Sequence, residues 1–237
     1  MSKTDIEYLR KVFSIGLGIY ENVLLSYGIV SKKAILDVGC GPGQWCFAAS
    51  KLNPEATIIG IDPNPTFIDF ANRYKEENHI DNCTFMRMSY EKILEKFNVE
   101  SFDVIFCNGV LMYIDVELAI KIFSKVLRPR GILLMLHNHH VGYYLHSLIE
   151  GLINKDLEKF LYSLRVLLVS SPALYFLKKS KGHKPIFFSY LYPISRKYGI
   201  TLFEVETKPK LHSLDGTSFL GFPYVKSFIG LKTKRFV

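Results

Sequence analysis

The chain has 237 residues, 49% hydrophobic and 22% charged, with 16 Gly and 10 Pro. That is enough apolar material for one large core, and it excludes an intrinsically disordered chain, a collagen-like chain and a short disulfide scaffold. Charge is uneven: residues 1–150 hold 15 Lys and Arg against 17 Asp and Glu, net −2, whereas residues 151–237 hold 15 against 5, net +10.

No run supplies the ~20 apolar residues of a spanning helix. His137, Asn138, His139, His140 and His146 interrupt the stretch from Gly131 to Ile149, and Ser170, Ser171 and Pro172 interrupt Val166 to Leu177. Asp5 and Glu7 stand in the first turns with no apolar stretch and small-residue cleavage site after them, so the amino terminus does not read as a signal peptide and a cytoplasmic protein is expected. Cys40, Cys46, Cys83 and Cys107 form no C-x-x-C pair, which predicts reduced thiols and neither a disulfide framework nor a zinc site. The basic carboxyl-terminal part reads either as a solvated face or as a surface for a phosphate group, an anionic membrane or RNA.

In chain order, apolar residues at helical spacing predict amino-terminal helices within residues 1–30, weakened at Gly16 and Gly18. Short apolar runs predict five strands at Ala34–Val38, Thr57–Ile61, Cys83–Arg87, Phe102–Cys107 and Gly131–Leu136. Helical stretches such as Thr66–Asn78 and Val116–Leu127 alternate with them. Alternation means right-handed crossovers and a parallel sheet covered on both faces, with residues 31–140 as its core.

After the fifth strand the chain spends more than sixty residues where one crossover needs far fewer. Leu145, Leu148, Ile149, Leu152, Leu157, Phe160, Leu161, Leu164 and Leu168 follow the spacing of one amphipathic helix. Ser171 and Pro172 then open a short second helix, so residues 141–190 read as a helical insertion. Residues 191–237 supply a last helix and two strands, Ile200–Thr207 and Ser227–Thr233, with no room for a helical crossover between them. An antiparallel pair at the end of the sheet is expected, and the whole of 1–237 reads as one domain.

The first strand runs into Asp37-Val38-Gly39-Cys40-Gly41-Pro42-Gly43, with a helix beginning near Gln44. Alternate glycines let the backbone turn sharply and let a ligand approach without a Cβ in the way. The spacing fits D-x-G-x-G-x-G better than a dinucleotide G-x-G-x-x-G, and no phosphate-loop G-x-x-x-x-G-K-[S/T] is present. Asp62, followed by Pro63 and Asn64, ends the second strand about twenty residues on, where a carboxylate accepts both hydroxyls of an adenosine ribose. Met88, Ser89 and Tyr90 follow strand three and could flank an adenine, and Asn108 ends strand four. These edges converge on one pocket.

Here the chain resembles a class I S-adenosylmethionine-dependent methyltransferase of the small-molecule type. The resemblance covers roughly residues 30–140, through ILDVGCGPG, the acidic end of IIGIDPNP, FDVIFCNGVLMYI and VLRPRGILLML. It implies a Rossmann-like seven-stranded sheet of order 3-2-1-4-5-7-6. It further implies that Gly39, Cys40, Gly41 and Gly43 lie against the aminocarboxypropyl arm of S-adenosylmethionine, Asp62 with Pro63 and Asn64 at the ribose, Met88, Ser89 and Tyr90 at the adenine, and Asn108 at the methionine end. Asp37 orients the loop or meets the ammonium group. Tyr113 stands where many small-molecule members carry a histidine, and Ser89 where an acidic residue is common. No N-P-P-Y or D-P-P-Y follows strand four, which argues against amine methylation on a DNA base or a glutamine amide.

His137-Asn138-His139-His140 follows strand five at the ligand-binding edge of such sheets. Imidazole accepts a hydroxyl proton near neutral pH, so His139 and His140, which lie farthest beyond the strand, are candidate bases beside Tyr113. Strand alternation sets His137 and His139 on one side and His140 on the other. With no acidic ligand in the run, no metal site is assigned. The expected activity is methyl transfer to a small or medium-sized organic acceptor, a hydroxyl of a partly hydrophobic or anionic compound, with the insertion as lid and Tyr143 and Tyr144 in its wall. The alternatives are an RNA or protein methyltransferase using the basic half, and a non-catalytic binding module. A peripheral contact with anionic membrane is compatible with Lys178–Lys184.

Overall fold

The computed structural model describes residues 3–169, 188–206, 218–220, 222–223 and 225–233. Seven strands form the main sheet: β1 (Ala34–Val38), β2 (Thr57–Asp62), β3 (Cys83–Arg87), β4 (Phe102–Phe106), β5 (Leu127–His139), β6 (Ile200–Val205) and β7 (Val225–Lys232). Their order is β3-β2-β1-β4-β5-β7-β6, the expected 3-2-1-4-5-7-6. The pairs from β3 to β5 are parallel, and β7 runs antiparallel to both β5 and β6. Outside this sheet, Ser218–Phe219 pairs with Phe222–Pro223.

The inner strands are apolar on both faces because helices cover both. On one face lie α1 (Lys3–Ser14), α2 (Leu17–Ser26), α3 (Gln44–Leu52) and α4 (Pro65–Glu77), whose Val12, Val23, Leu24, Trp45, Phe47 and Ile68 pack on Ile35, Ile58, Phe85, Val104 and Leu134. On the other lie the single turn α5 (Ile93–Lys96), α6 (Val116–Val126) and, after the insertion helices α7 (Val141–Ile153) and α8 (Leu157–Val169), α9 (Phe188–Lys197). Here Ile93, Ile120, Phe123 and Leu191 meet Leu36, Ile105, Leu133 and Phe228. Asp115 caps α6 by accepting from Leu118 N at 2.9 Å, and Asn64 caps α4 by accepting from Thr66 N at 2.9 Å. Gly16, at φ 75°, separates α1 from α2.

Three local expectations are corrected. The amphipathic run from Leu145 to Leu168 is two helices, α7 (Val141–Ile153) and α8 (Leu157–Val169), folded back on each other. Asn154, Lys155 and Asp156 make the reversal, with Lys155 at φ 55° and Asp156 accepting from Lys159 N at 3.0 Å. The pairing is close: a Cβ on Gly151 would stand 2.8 Å from Phe160 N, and Ser163 Oγ bonds Ser147 Oγ at 3.0 Å. Second, β5 is longer than its apolar run, because pairing with β4 and β7 continues the ladder at both ends. Third, strict alternation fails at the histidines. Met135 pairs with Phe228 and Asn138 with Lys226, so an extra residue bulges there and His137 sits at φ 55°. Such a bulge removes the parity that set His137 and His139 on one side. The short helix expected at Ser171–Pro172, and the basic run Lys178–Lys184, lie outside the described residues.

Candidate active site

The loop after β1 opens at the carboxyl edge between β1 and β4, where the strand order reverses and open α/β sheets hold ligands. Gly39 N and Cys40 N both donate to Ile61 O, at 2.8 and 3.0 Å, tying the loop to β2. Gly39, Gly41 and Gly43 have φ of 69°, 53° and 92°, all in the left-handed region that favours glycine. Their surroundings differ. A Cβ on Gly39 would meet Val110 at 2.5 Å and one on Gly43 would meet Phe85 at 2.8 Å, whereas one on Gly41 would find only Tyr8 at 3.6 Å and Gln44 Oε1 at 4.0 Å. Gly39 and Gly43 are therefore glycines for packing, and Gly41 leaves an open cradle.

Asp62 closes the cradle. Its Oδ2 accepts from Gly41 N at 3.0 Å and its Oδ1 from Asn64 N at 2.8 Å. Burial raises its pKa, and these two backbone donors act against the rise. The carboxylate keeps further lone pairs for hydroxyl donors.

A cavity of about 550 Å³ spreads from this point, within the usual range for small-molecule sites. Of the residues expected at the cofactor, Gly39, Gly41, Asp62, Pro63, Met88, Ser89, Tyr90 and Asn108 line it, as does Tyr113. Asn108 has one settled orientation: its Oδ1 accepts from Leu136 N at 2.8 Å, while its Nδ2 is buried without a partner. Tyr90 Oη accepts from Asp115 N at 3.2 Å, which fixes that ring.

Other expected residues stand behind the wall. Asp37 is buried beneath the loop, where Cys46 Sγ donates to its Oδ2 at 3.4 Å; burial chiefly pushes its pKa up to about 7. Cys40 is buried against Gly60 and does not line the cavity, and burial raises its thiol pKa. Gly43 opens α3, and Asn64 caps α4 while its Nδ2 donates to Asp5 Oδ1 at 3.3 Å.

His139 and His140 do not line this cavity either. His139 stacks on Tyr143 with ring centroids 3.9 Å apart and an interplanar angle of 17°, and His140 is buried at the start of α7. Tyr143 in turn acts electrostatically on the hydroxyl of Tyr113, which lines the cavity. Burial around the Tyr113 hydroxyl, and then Tyr143, raises its pKa, so it stays protonated at neutral pH.

Sequence reasoning missed the roof. Asp5 and Tyr8 of α1 line the cavity, and Tyr8 packs on Phe67 of α4 at 5.3 Å between centroids. Burial pushes the Tyr8 phenol up to about 12, and the neighbouring Gln44 side chain works against that rise. Gln44 Oε1 is buried without a partner. The signal for α1 was present as helical spacing, but nothing local tells which edge of the sheet an amino-terminal helix will cover.

The order of the sheet, the loop at its switch point and the acidic end of β2 together define a class I S-adenosylmethionine-dependent methyltransferase fold. Residues 29–160 match the model of the methyltransferase-domain family, and the chain belongs to that family. It is 32% identical over 100 residues to the ubiquinone biosynthesis O-methyltransferase of Bartonella tribocorum, covering 42% of this chain and 38% of that one. The YcgJ protein of Bacillus subtilis superposes with a TM-score of 0.60 at 14% identity, over 92% of this chain and 99% of that one. Geranyl diphosphate C-methyltransferase from Streptomyces coelicolor, solved with S-adenosyl-L-homocysteine, superposes with a TM-score of 0.58 at 14% identity, over 86% and 72%. The chain spans about half the length, or less, of the curated relatives it matches. No helix among the described residues is long and apolar enough to cross a membrane.

Proposed function

We propose that this protein transfers the methyl group of S-adenosylmethionine to a hydroxyl of a small or medium-sized, partly hydrophobic or anionic organic acceptor. The observation that carries the reading is the cradle itself. Asp62 is held by Gly41 N and Asn64 N at the mouth of a cavity that also holds an unpartnered donor, Asn108 Nδ2; an unpartnered acceptor, Gln44 Oε1, lies beside the cradle at Gly41. A ribose needs acceptors for two hydroxyls, an ammonium needs an acceptor, and a carboxylate needs a donor, so the residues present fit the group. S-Adenosylmethionine supplies an activated methyl on a sulfonium.

In this reading Asp62 accepts the ribose hydroxyls, Met88, Ser89 and Tyr90 border the adenine, and Gln44 and Asn108 take the two ends of the amino-acid arm. Asp37 lies beneath the loop as a source of negative charge close to the ammonium. Tyr8 and Asp5 close the cavity from α1 and exclude water. The acceptor enters on the side of Tyr113, where the first turn of α7 brings Tyr143, and the α7–α8 hairpin serves as its lid.

Alignment of the acceptor supplies most of the acceleration, since the donor is already activated. For a hydroxyl acceptor a proton must also leave, and His139 is the proposed base, with His140 the second candidate. Tyr113, protonated at neutral pH, orients the acceptor oxygen as a hydroxyl donor. The O-methyltransferase named for the Bartonella relative supports oxygen as the accepting atom.

Incubation with methyl-labelled donor and, separately, a panel of phenols and hydroxy acids, total RNA and a lipid extract tests the reading. Label in a small hydroxylated product is expected. Label in RNA or protein alone overturns it, as does the absence of S-adenosylmethionine binding by calorimetry.

A further inference from the structure

At the amino-terminal edge of the sheet, five residues of β1 away from the glycine loop, two segments face each other across a cleft of about 320 Å³. One is Ser31-Lys32-Lys33 leading into β1, and the other is the start of β5. The β5 segment bulges outward: Phe102 pairs with Leu127 and Val104 with Ile132, so Asp103 alone opposes the four residues Arg128 to Gly131.

Asp103 is fully engaged. It accepts from Lys33 N and Ala34 N, each at 2.9 Å, and pairs with Arg128 Nη1 at 2.7 Å. This bracket fixes the two segments relative to each other and neutralises Arg128. Lys32, Lys33 and Arg130 also line the cleft, and none has a carboxylate partner among the described residues.

Backbone conformation points the same way. Ser31 at φ 55° and Arg130 at φ 64° are left-handed non-glycine residues on opposite sides of this one cleft. Non-glycine residues in that region are strained, and such strain concentrates at functional positions. In the bulge, glycine is used at position 131, where a Cβ would stand 2.7 Å from Leu127 Cγ, whereas arginine occupies the left-handed position that glycine would fill without strain. The cation is kept at a conformational cost.

We infer that this cleft is a second, non-catalytic site, which binds a compact phosphate-bearing anion of two or more charges. The three cations without a carboxylate partner among the described residues line one small cleft from two bracketed segments, which suits a compact anion better than a nucleic-acid polymer. A guanidinium and two ammonium groups match phosphate oxygens. The site is separate from the proposed donor cavity, and the inference does not depend on the methyl-transfer reading.

The test is calorimetric titration of the whole protein with pyrophosphate, against sodium chloride matched in ionic strength. Saturable binding is expected, weakened about tenfold or more in the Arg130→Gly, Lys33→Gln double variant, with S-adenosylmethionine affinity unchanged. Arg130→Gly alone should melt no lower than the wild type, because glycine suits φ 64°, so its loss of pyrophosphate is not a loss of fold; Lys32→Gln is the independent check. Cosedimentation with phosphatidylglycerol vesicles, competed by pyrophosphate and lost in the same variants, would make a lipid headgroup the source of the phosphate. Pyrophosphate binding without vesicle binding would make it a soluble compound. The inference is overturned if no saturable pyrophosphate binding survives the chloride control, if the variants bind as the wild type does, or if only an RNA oligonucleotide or only vesicles bind.

Discussion

Gly41 and Asp62 are joined directly: the Gly41 amide donates to the Asp62 carboxylate at 3.0 Å, across twenty-one positions of sequence. The same carboxylate accepts from Asn64 N, so one side chain holds the tip of the glycine loop and the entry to α4 together. Asp62 is thus a structural bracket as well as the proposed ribose acceptor. Asp62→Ala should lower S-adenosylmethionine affinity at least tenfold, since a hydrogen bond to a charged group contributes about 1.5–3 kcal/mol. It should also lower stability by about 1–3 kcal/mol by leaving the buried Gly41 amide and the partly buried Asn64 amide unmatched. Asp62→Asn should recover much of the stability and little of the affinity. Calorimetry and thermal melting separate the two effects, and unchanged donor affinity in both variants would refute the ribose assignment.

Asp37 gives the molecule a built-in pH dependence. Its folded pKa is about 7 against an ordinary 3.8, chiefly through burial. Because the folded pKa is raised, its contribution favours folding fully below pH ~4 and is lost as pH rises through about 7. Asp37→Asn should therefore melt higher than the wild type at pH 8, with the difference shrinking toward pH 5. If the donor's ammonium approaches Asp37, binding favours the ionised form and releases a proton near pH 6–7. Calorimetry in two buffers of different ionisation enthalpy measures that release; the same enthalpy in both would place the ammonium elsewhere.

The roof predicts a kinetic effect. Tyr8→Ala removes the ring packed on Phe67 and opens the cavity at α1. Donor affinity should fall by roughly five- to twentyfold, mostly through faster release, since interface changes act mainly on dissociation. Tyr8→Phe should lie close to the wild type if the ring matters more than its hydroxyl. Stopped-flow dissociation of the donor product distinguishes the two.

Two of the loop glycines, Gly43 and Gly41, should respond differently to alanine. Gly43→Ala meets Phe85 at 2.8 Å and Phe47 at 3.0 Å in a left-handed backbone, and should lose on the order of 2–4 kcal/mol of stability. Gly41→Ala meets nothing closer than 3.6 Å, should lose about 1 kcal/mol, and should still fold while binding the donor poorly. Denaturant unfolding beside calorimetry checks the contrast. Equal destabilisation at both positions would show that the backbone strain they share, and not the space around each, sets the cost.

His139→Ala should lower turnover at saturating donor by about 10²–10⁴-fold while donor affinity holds, and should abolish the acidic limb of the pH–rate profile. The variant also loses the stack on Tyr143, so His139→Phe is the control: it restores a ring and should remain inactive. Retention of more than about a tenth of wild-type turnover in both, and in His140→Ala, would mean catalysis by alignment alone.

The five parallel strands and the residues at their carboxyl edges were legible in the sequence because each rests on a local signal, whereas the sheet order was expected only through the family resemblance that those motifs carry. Apolar runs of strand length, glycines that alone tolerate left-handed backbone and an acid at a strand end carry their geometry with them. What only the tertiary structure decided is where separate pieces meet. Tyr8 and Asp5 reached the cavity because α1 packs on α3 and α4, a choice made by complementary surfaces and not by the spacing within α1. The break at Asn154–Asp156 follows from burying one helix face on another, visible in Gly151 against Phe160, where periodicity read two helices as one. His137 left strict alternation because the register of β5 with β7 requires an extra residue between Met135 and Asn138. Hydrophobic burial and ladder pairing are satisfied across distant segments, so a single segment's pattern fixes its own conformation but not its partner.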